Sequence, residues 1–253
     1  MERTTQRLDH LLRNAKASGK KLLAVLIDPD KPGSDLGQFA ARAESAGADV
    51  FLVGGSLVMH DDMDTCIHTL RANSGLPIYL FPSSPAQIRA EADGILFLSL
   101  ISGRNPDLLI GKHIEAAPLL AKTSLHVMST GYMLIDCGTA TTAHYMSQSL
   151  PIPFDKPEIA QATALAGQYL GMSTIYMDAG SGAARSISSE MVSSVAEAID
   201  IPLIIGGGVR EAIEAERLCQ AGADMLVVGN ALESNPSLLQ DISIAVHSAV
   251  VKG

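Results

Sequence analysis

Residues 46–54 read AGADVFLVG, and residues 221–229 read AGADMLVVG. Both stretches have the same grammar: a helix end stopped by glycine, a short turn, then a strand that ends in glycine. The copies begin 175 residues apart, at 46 and 221. That distance is about six βα units of ~30 residues each, so the copies read as strands two and eight of one series. Further apolar runs at 22–27, 78–81, 94–98, around 125–135, 174–177 and 203–205 complete a set of eight. Most are continuous rather than alternating, the pattern of parallel strands covered on both faces.

The segments between these runs read as helices. Ser188-Ser189-Glu190 starts one with a capping residue and an early acid, and residues 210–221 form another. Leu8, Leu11 and Leu12 give the N-terminal stretch one apolar face. Eight βα units in 253 residues predict a single (β/α)8 TIM-type barrel domain over residues 1–253, with an extra N-terminal helix. An irregular segment at 123–158 is expected to hold an extended strand, a short helix and a proline-rich turn. An open doubly wound sheet is the competing architecture. It is disfavoured because no GxGxxG follows the first strand and no linker marks a second domain.

Composition narrows the function. Apolar residues make up 47% and charged residues 18%, which suits a large core and not disorder. A net charge of -9 argues against a general nucleic-acid binder. Cys66, Cys137 and Cys219 are far apart, with no CxxC or Cys/His cluster. Buried, reduced thiols in a cytoplasmic protein are therefore expected. The start of the chain lacks the apolar core of a signal peptide, and no run is long enough to span a bilayer. Any membrane contact is then peripheral.

In a barrel of this kind the chemistry sits where the strands end. Strand six ends in Asp178 and Gly180-Ser181-Gly182, strand seven in Gly206-Gly207-Gly208, strand eight in Gly229-Asn230. One glycine loop can simply end a strand tightly. Three neighbouring ones favour an anion cradle of backbone N–H groups, helped by helix starts near Arg210 and after Asn230. Tyr176 lies two residues before Asp178, so both face one side of their strand; its hydroxyl either serves the site or the core. Strand one ends in Asp28-Pro29-Asp30 and strand two in Gly54-Gly55-Ser56. These oxygens suit a divalent cation such as Mg2+, although an Asx-type turn before Pro29 explains the acids equally well. Arg104 and Lys112, after strand four, are basic groups that could meet a diphosphate or face water.

Taken together, the stretches LIDPDK (26–31), VGGS (53–56), YLFPSS (79–84), YMDAGSGA (176–183), IIGGGVR (204–210) and VVGNALE (227–233) resemble geranylgeranylglyceryl phosphate synthases and their bacterial heptaprenyl relatives. The resemblance implies an enzyme that joins a long-chain prenyl diphosphate, geranylgeranyl diphosphate foremost, to the 3-hydroxyl of sn-glycerol 1-phosphate. Diphosphate leaves and Mg2+ is required. Asp28 and Ser56 would hold the metal. Tyr176, Met177, Asp178, Ala179, Gly180, Ser181, Gly182, Gly207, Gly208, Gly229 and Asn230 would hold glycerol phosphate. Asp178 would take the hydroxyl proton, where many members carry the longer glutamate. The family also implies homodimers or larger rings, with Tyr145 the candidate aromatic contact. Two other functions fit the phosphate cradle alone: a phosphosugar isomerase or lyase, and a non-catalytic ligand-binding scaffold.

Overall fold

β2 (Val50–Val53) and β8 (Met225–Val228) flank β1 (Leu22–Ile27) in the computed structural model, as the repeated AGAD stretches require. The structure describes residues 7–31, 35–60, 62–229, 232 and 237–249. β3 (Ile78–Leu80), β4 (Gly94–Leu100), β5 (His126–Leu134), β6 (Thr174–Asp178) and β7 (Leu203–Gly206) complete a closed, all-parallel barrel in sequence order. β4 runs past the expected residue 98 because β5 pairs with it through Leu100↔Tyr132. The helices are α1 (Leu8–Ser18), α2 (Leu36–Ser45), α3 (Met63–Asn73), α4 (Lys112–Leu120), α5 (Thr142–Ser147), α6 (Pro157–Tyr169), α7 (Ser189–Ala198), α8 (Ala212–Gln220) and α9 (Leu238–Ser248). Ser188 caps α7 as expected, its hydroxyl accepting the Met191 N–H at 3.2 Å. The irregular segment contains β5, α5 and an isolated parallel bridge between Ile135 and Ile152 beside Pro151 and Pro153.

Strand parity divides the core into two. Leu22, Ala24, Val50, Leu52, Leu96, Tyr176 and Ile204 fill the barrel interior, whereas their neighbours Leu23, Val25, Phe51 and Ile205 pack outward with the helices. The alternation fixes the site, because Asp28 follows interior Leu26 by two residues and Asp178 follows interior Tyr176 by two. The bottom of the barrel is closed by α1, whose Leu8 and Leu12 join the interior cluster. The Leu8 N–H donates to the Tyr79 hydroxyl at 2.9 Å, anchoring the start of that helix.

The aspartates of the AGAD stretches have a structural task that the repeat alone did not disclose. Asp49 accepts the Leu23 N–H at 2.8 Å and Asp224 accepts the Leu203 N–H at 2.9 Å. Asp93, ahead of β4, accepts the Ile78 N–H at 2.8 Å in the same way. Each acid sits just before an even-numbered strand and accepts a buried N–H from the start of the preceding odd one. This removes an otherwise unpaired backbone group at the barrel floor.

Asp49 also ties down α9. The same oxygen lies 3.0 Å from His247 Nε2, and this hydrogen bond holds the imidazole pKa above its ordinary value against the opposing effect of burial. A raised histidine contributes stability in full below its unfolded pKa, and that stability is lost as pH rises through the folded value. His247→Gln is thus expected to cost up to about 1 kcal/mol near pH 6 and less near pH 8. Thermal melts of the two proteins across that range check it; an equal or larger gap at pH 8 would refute the linkage.

Candidate active site

Two cavities meet on the C-terminal face of the barrel. The first, about 590 Å³, is polar and lies between the exits of β1, β6, β7 and β8. Asp28, Ser56, Tyr176, Asp178, Ser181, Gly182, Gly207, Gly208 and Gly229 all border it. The second, about 490 Å³, is mainly apolar and runs over β2 to β5, bordered by Met63, Leu98, Leu100, Leu108, Leu134 and Met146. The two share Gly55, Ser56, Leu57, Met59 and Phe81, so they form one continuous trough with a polar and an apolar limb.

The glycines of the polar limb are demanded by geometry. Gly180 and Gly182 have φ of +85° and +78°, and Gly207 and Gly208 have +80° and +76°. Side chains strongly disfavour these conformations. A Cβ on Gly207 would also stand 3.0 Å from Asp178 Oδ1 and 2.8 Å from the Gly180 carbonyl oxygen. The β7 loop is therefore pressed against the β6 loop, and Ser181, Gly182, Gly207 and Gly208 of the two loops border one cavity, an arrangement whose backbone suits an anion. Met177 and Ala179 point outward into the helix-facing core and offer this space only their backbone. Asn230 lies outside the described residues.

Asp178 stands where the limbs join. Its Oδ1 accepts the Gly180 N–H at 2.7 Å, an i to i+2 contact that a short acid makes naturally. Its Oδ2 accepts the Tyr132 hydroxyl at 2.5 Å. Asp178 borders the polar limb and Tyr132 the apolar one, so this hydrogen bond spans the junction. The carboxyl is 7% exposed, and burial raises its pKa above the ordinary carboxylate range. The Tyr132 hydroxyl, the Gly180 N–H and the field of His144 oppose that rise. Beneath it, Tyr132 stacks on Tyr176 at 5.5 Å and both rings contact Phe81, which gives the carboxylate an aromatic floor. The Tyr176 hydroxyl abuts Gly206, where a Cβ would collide with it.

Tyr132 was not among the residues singled out from sequence. Its signal was the pairing register: Tyr132 lies opposite Tyr176 on adjacent strands, two residues below the level of Asp178. Strand five enters the irregular segment without a glycine stop, so its end could not be fixed without that register.

On the opposite rim Asp28 and Asp30 behave differently. Asp28 Oδ1 accepts the Asp30 N–H at 3.1 Å, so the Asx turn is present. Its half-buried carboxylate nevertheless faces Gly55 in the polar limb, and no donor of the described residues reaches Oδ2. One carboxylate oxygen beside the Ser56 loop fits a hard cation that takes its other ligands from water and a substrate diphosphate. Among the described residues no cluster of three acidic, His or Cys ligands occurs. Asp30 is committed elsewhere. It accepts the Met59 and His60 N–H groups at 2.6 and 3.0 Å and clamps the loop that divides the two limbs. Its pKa is lowered, chiefly by the Met59 bond.

Arg104 and Lys112 do not reach either limb. Arg104 donates to the Gly103 carbonyl at 2.7 Å, and Lys112 pairs with Glu115 at 3.0 Å beside a separate crevice of about 60 Å³. The sequence left these basic groups two readings, and the side chains as placed show local partners outside both limbs.

The fold and site define a (β/α)8 barrel whose glycine-lined cavity adjoins an apolar groove at one buried carboxylate. The chain belongs to the PcrB family, whose model matches residues 17–247. A geranylgeranylglyceryl phosphate synthase of Chitinophaga pinensis is 49% identical over 92% of this chain and 93% of its own. One of Pyrococcus abyssi is 40% identical over 87% and 88%. The crystal structure of (S)-3-O-geranylgeranylglyceryl phosphate synthase from Thermoplasma acidophilum, in complex with its substrate sn-glycerol-1-phosphate, superposes with a TM-score of 0.90. It is 31% identical and covers 96% of this chain and 99% of that one.

Proposed function

We propose that this protein is a prenyltransferase that joins geranylgeranyl diphosphate to the 3-hydroxyl of sn-glycerol 1-phosphate and releases diphosphate. The observation that carries it is the trough itself. A glycine-lined anion clasp and a long apolar groove meet at one buried carboxylate. A phosphosugar isomerase or lyase has use for the clasp and the acid but none for a 490 Å³ apolar limb, and is disfavoured for that reason.

The loops after β6, β7 and β8 hold the acceptor phosphate, which directs its terminal hydroxyl toward Asp178. The prenyl tail lies along Leu98, Leu100 and Leu108, which brings the first carbon of the donor to the junction. As the carbon–oxygen bond of the donor breaks, the acceptor oxygen forms the new ether bond at that carbon. Its proton passes to Asp178, late in the step when the oxygen has become acidic. The Tyr132 hydroxyl on Oδ2 and the Gly180 N–H on Oδ1 orient the Asp178 carboxylate at the border of the polar limb, and each oxygen keeps a further lone pair for the proton. Asp28 and Ser56 would hold Mg2+, which when bound neutralises the charge gathering on the departing diphosphate.

We also assign the enzyme to the cytoplasm, where its free, buried Cys66, Cys137 and Cys219 would stay reduced. No helix of the described residues is long and apolar enough to cross a membrane. Tyr145 and Leu150, 83% and 86% exposed in the irregular segment, support a homo-oligomeric contact there. Incubation of labelled glycerol 1-phosphate with prenyl diphosphates and Mg2+ is expected to yield a labelled ether lipid, and chelation by EDTA to stop it. No product at any prenyl length would overturn the assignment; product in EDTA would overturn the metal requirement alone.

A further inference from the structure

We propose that Arg210 is a ligand of the acceptor's phosphate, held ready at the rim of the clasp by the Ala183 carbonyl. The proposal rests on the functional reading above and adds a charged residue to a clasp otherwise made of backbone.

The first argument is the charge of the cavity. Its described lining carries three acids, Asp28, Asp30 and Asp178, against two cations, Lys31 and Arg210. Lys31 follows β1, beside the acids of the opposite rim. Arg210 follows Gly207 and Gly208, at the clasp. A phosphate monoester brings nearly two negative charges and three strong acceptor oxygens into this space. Part of the glycine backbone is already engaged there. The Gly180 N–H goes to Asp178 at 2.7 Å, and the Ala183 N–H to the Gly180 carbonyl at 3.2 Å. The amides that remain are neutral, and a guanidinium adds a formal positive charge and forked donors to the side of the cavity where Asp178 is the acid.

The second argument is the state of that guanidinium. Arg210 Nη2 donates to the Ala183 carbonyl at 2.7 Å, immediately after Gly182 of the clasp. No carboxylate of the described residues lies within ion-pair distance of it. Glu214 is close, but its Oε2 accepts the Arg210 backbone N–H at 3.0 Å and its Oε1 accepts the Ser186 hydroxyl. Glu214 therefore fixes the Arg210 backbone and leaves the guanidinium charge unneutralised. One N–H of the fork is on a neutral carbonyl, and Arg210, an exposed residue, borders the polar limb. Among the described residues this oriented cation has no carboxylate partner.

The competing role is a plain staple between the β6 and β7 loops. Two measurements separate them. Calorimetric titration with inorganic phosphate, which needs no prenyl donor, is expected to show about ten- to hundredfold weaker binding for Arg210→Ala and a partial recovery for Arg210→Lys. In turnover, KM for glycerol 1-phosphate is expected to rise by a similar factor in Arg210→Ala while KM for the prenyl diphosphate stays unchanged. Unchanged phosphate affinity in both variants would overturn the proposal, as would an equal rise in both KM values, the mark of a staple. Failure of wild type to bind phosphate would overturn it too. Absence of prenyl transfer with Arg210-dependent phosphate binding intact would instead overturn the functional reading and leave the ligand role standing.

Discussion

Asp178→Asn is expected to lower kcat by about 10²–10⁴-fold, the usual contribution of a positioned general base, while leaving the protein at least as resistant to heat as wild type. The expectation follows from the cost of keeping a carboxylate at the trough junction. Burial raises the Asp178 pKa, and the bonds from Tyr132 and Gly180 together with the field of His144 recover part of that cost. An acid whose folded pKa is raised destabilises the fold when ionised at pH values above it. The penalty fades as pH falls through the raised value toward that of the unfolded chain. Asparagine never carries the charge. It retains an oxygen for the Gly180 N–H and an amide that can face the Tyr132 hydroxyl. The melting-temperature gain of the variant is thus expected to be largest near neutral pH and to shrink on acidification. In wild type the acid limb of the kcat/KM profile should lie above the ordinary carboxylate range, and no such limb should govern the residual rate of the variant. A variant with near-wild-type kcat would remove Asp178 from the chemistry. A variant that melts well below wild type at neutral pH would show that the carboxylate is structural.

The readable parts of this molecule were those in which one residue type answers one local demand. Continuous apolar runs gave eight parallel strands, because a strand covered on both faces has no polar position to alternate with. Positive-φ glycines gave the clasp, since Gly180, Gly182, Gly207 and Gly208 occupy backbone states closed to other residues. Parity gave the inward aim of Asp178 from Tyr176. What stayed hidden depends on register between segments distant in sequence. Tyr132 reaches Asp178 only because β5 and β6 pair as they do. Asp30, which looked like half of a cation site, is drawn off by two N–H groups of the loop at Met59 and His60. The individual residues of the apolar limb were mostly not legible. Beside Phe81 to Ser84 of the YLFPSS stretch, its apolar lining comes mainly from single residues on β4, β5, α3, α5 and the loop after β2, none of which differs in sequence from an ordinary core position.

The repeat that exposed the fold also supplies its most sensitive point. Asp224 is 4% exposed at the floor of the barrel. Its Oδ2 accepts the Leu203 N–H at 2.9 Å and lies 3.3 Å from Lys16 Nζ, and its Oδ1 lies 3.6 Å from Lys21 Nζ, itself 3% exposed. Asp224→Ala leaves a buried ammonium without its counter-charge and a buried strand-end N–H without its acceptor. The expected cost is about 3–5 kcal/mol, which in a chain of this length lowers Tm by about 10 °C. The equivalent change at Asp49 should cost less, because that carboxylate is 28% exposed and its cationic partner His247 reaches water. The two copies of one motif then differ in energy through burial and through the cation each one faces. If the loss at Asp224 comes from stranding Lys21, rather than from the missing strand cap, Lys21→Met added to Asp224→Asn should recover most of it. Asparagine still accepts from Leu203, and methionine needs no counter-charge. Equilibrium unfolding of the four proteins in that cycle measures the coupling directly. Additive losses would instead show that Lys21 and Asp224 are not coupled, and a loss in Asp224→Ala that Asp224→Asn does not share would place the cost in the strand cap.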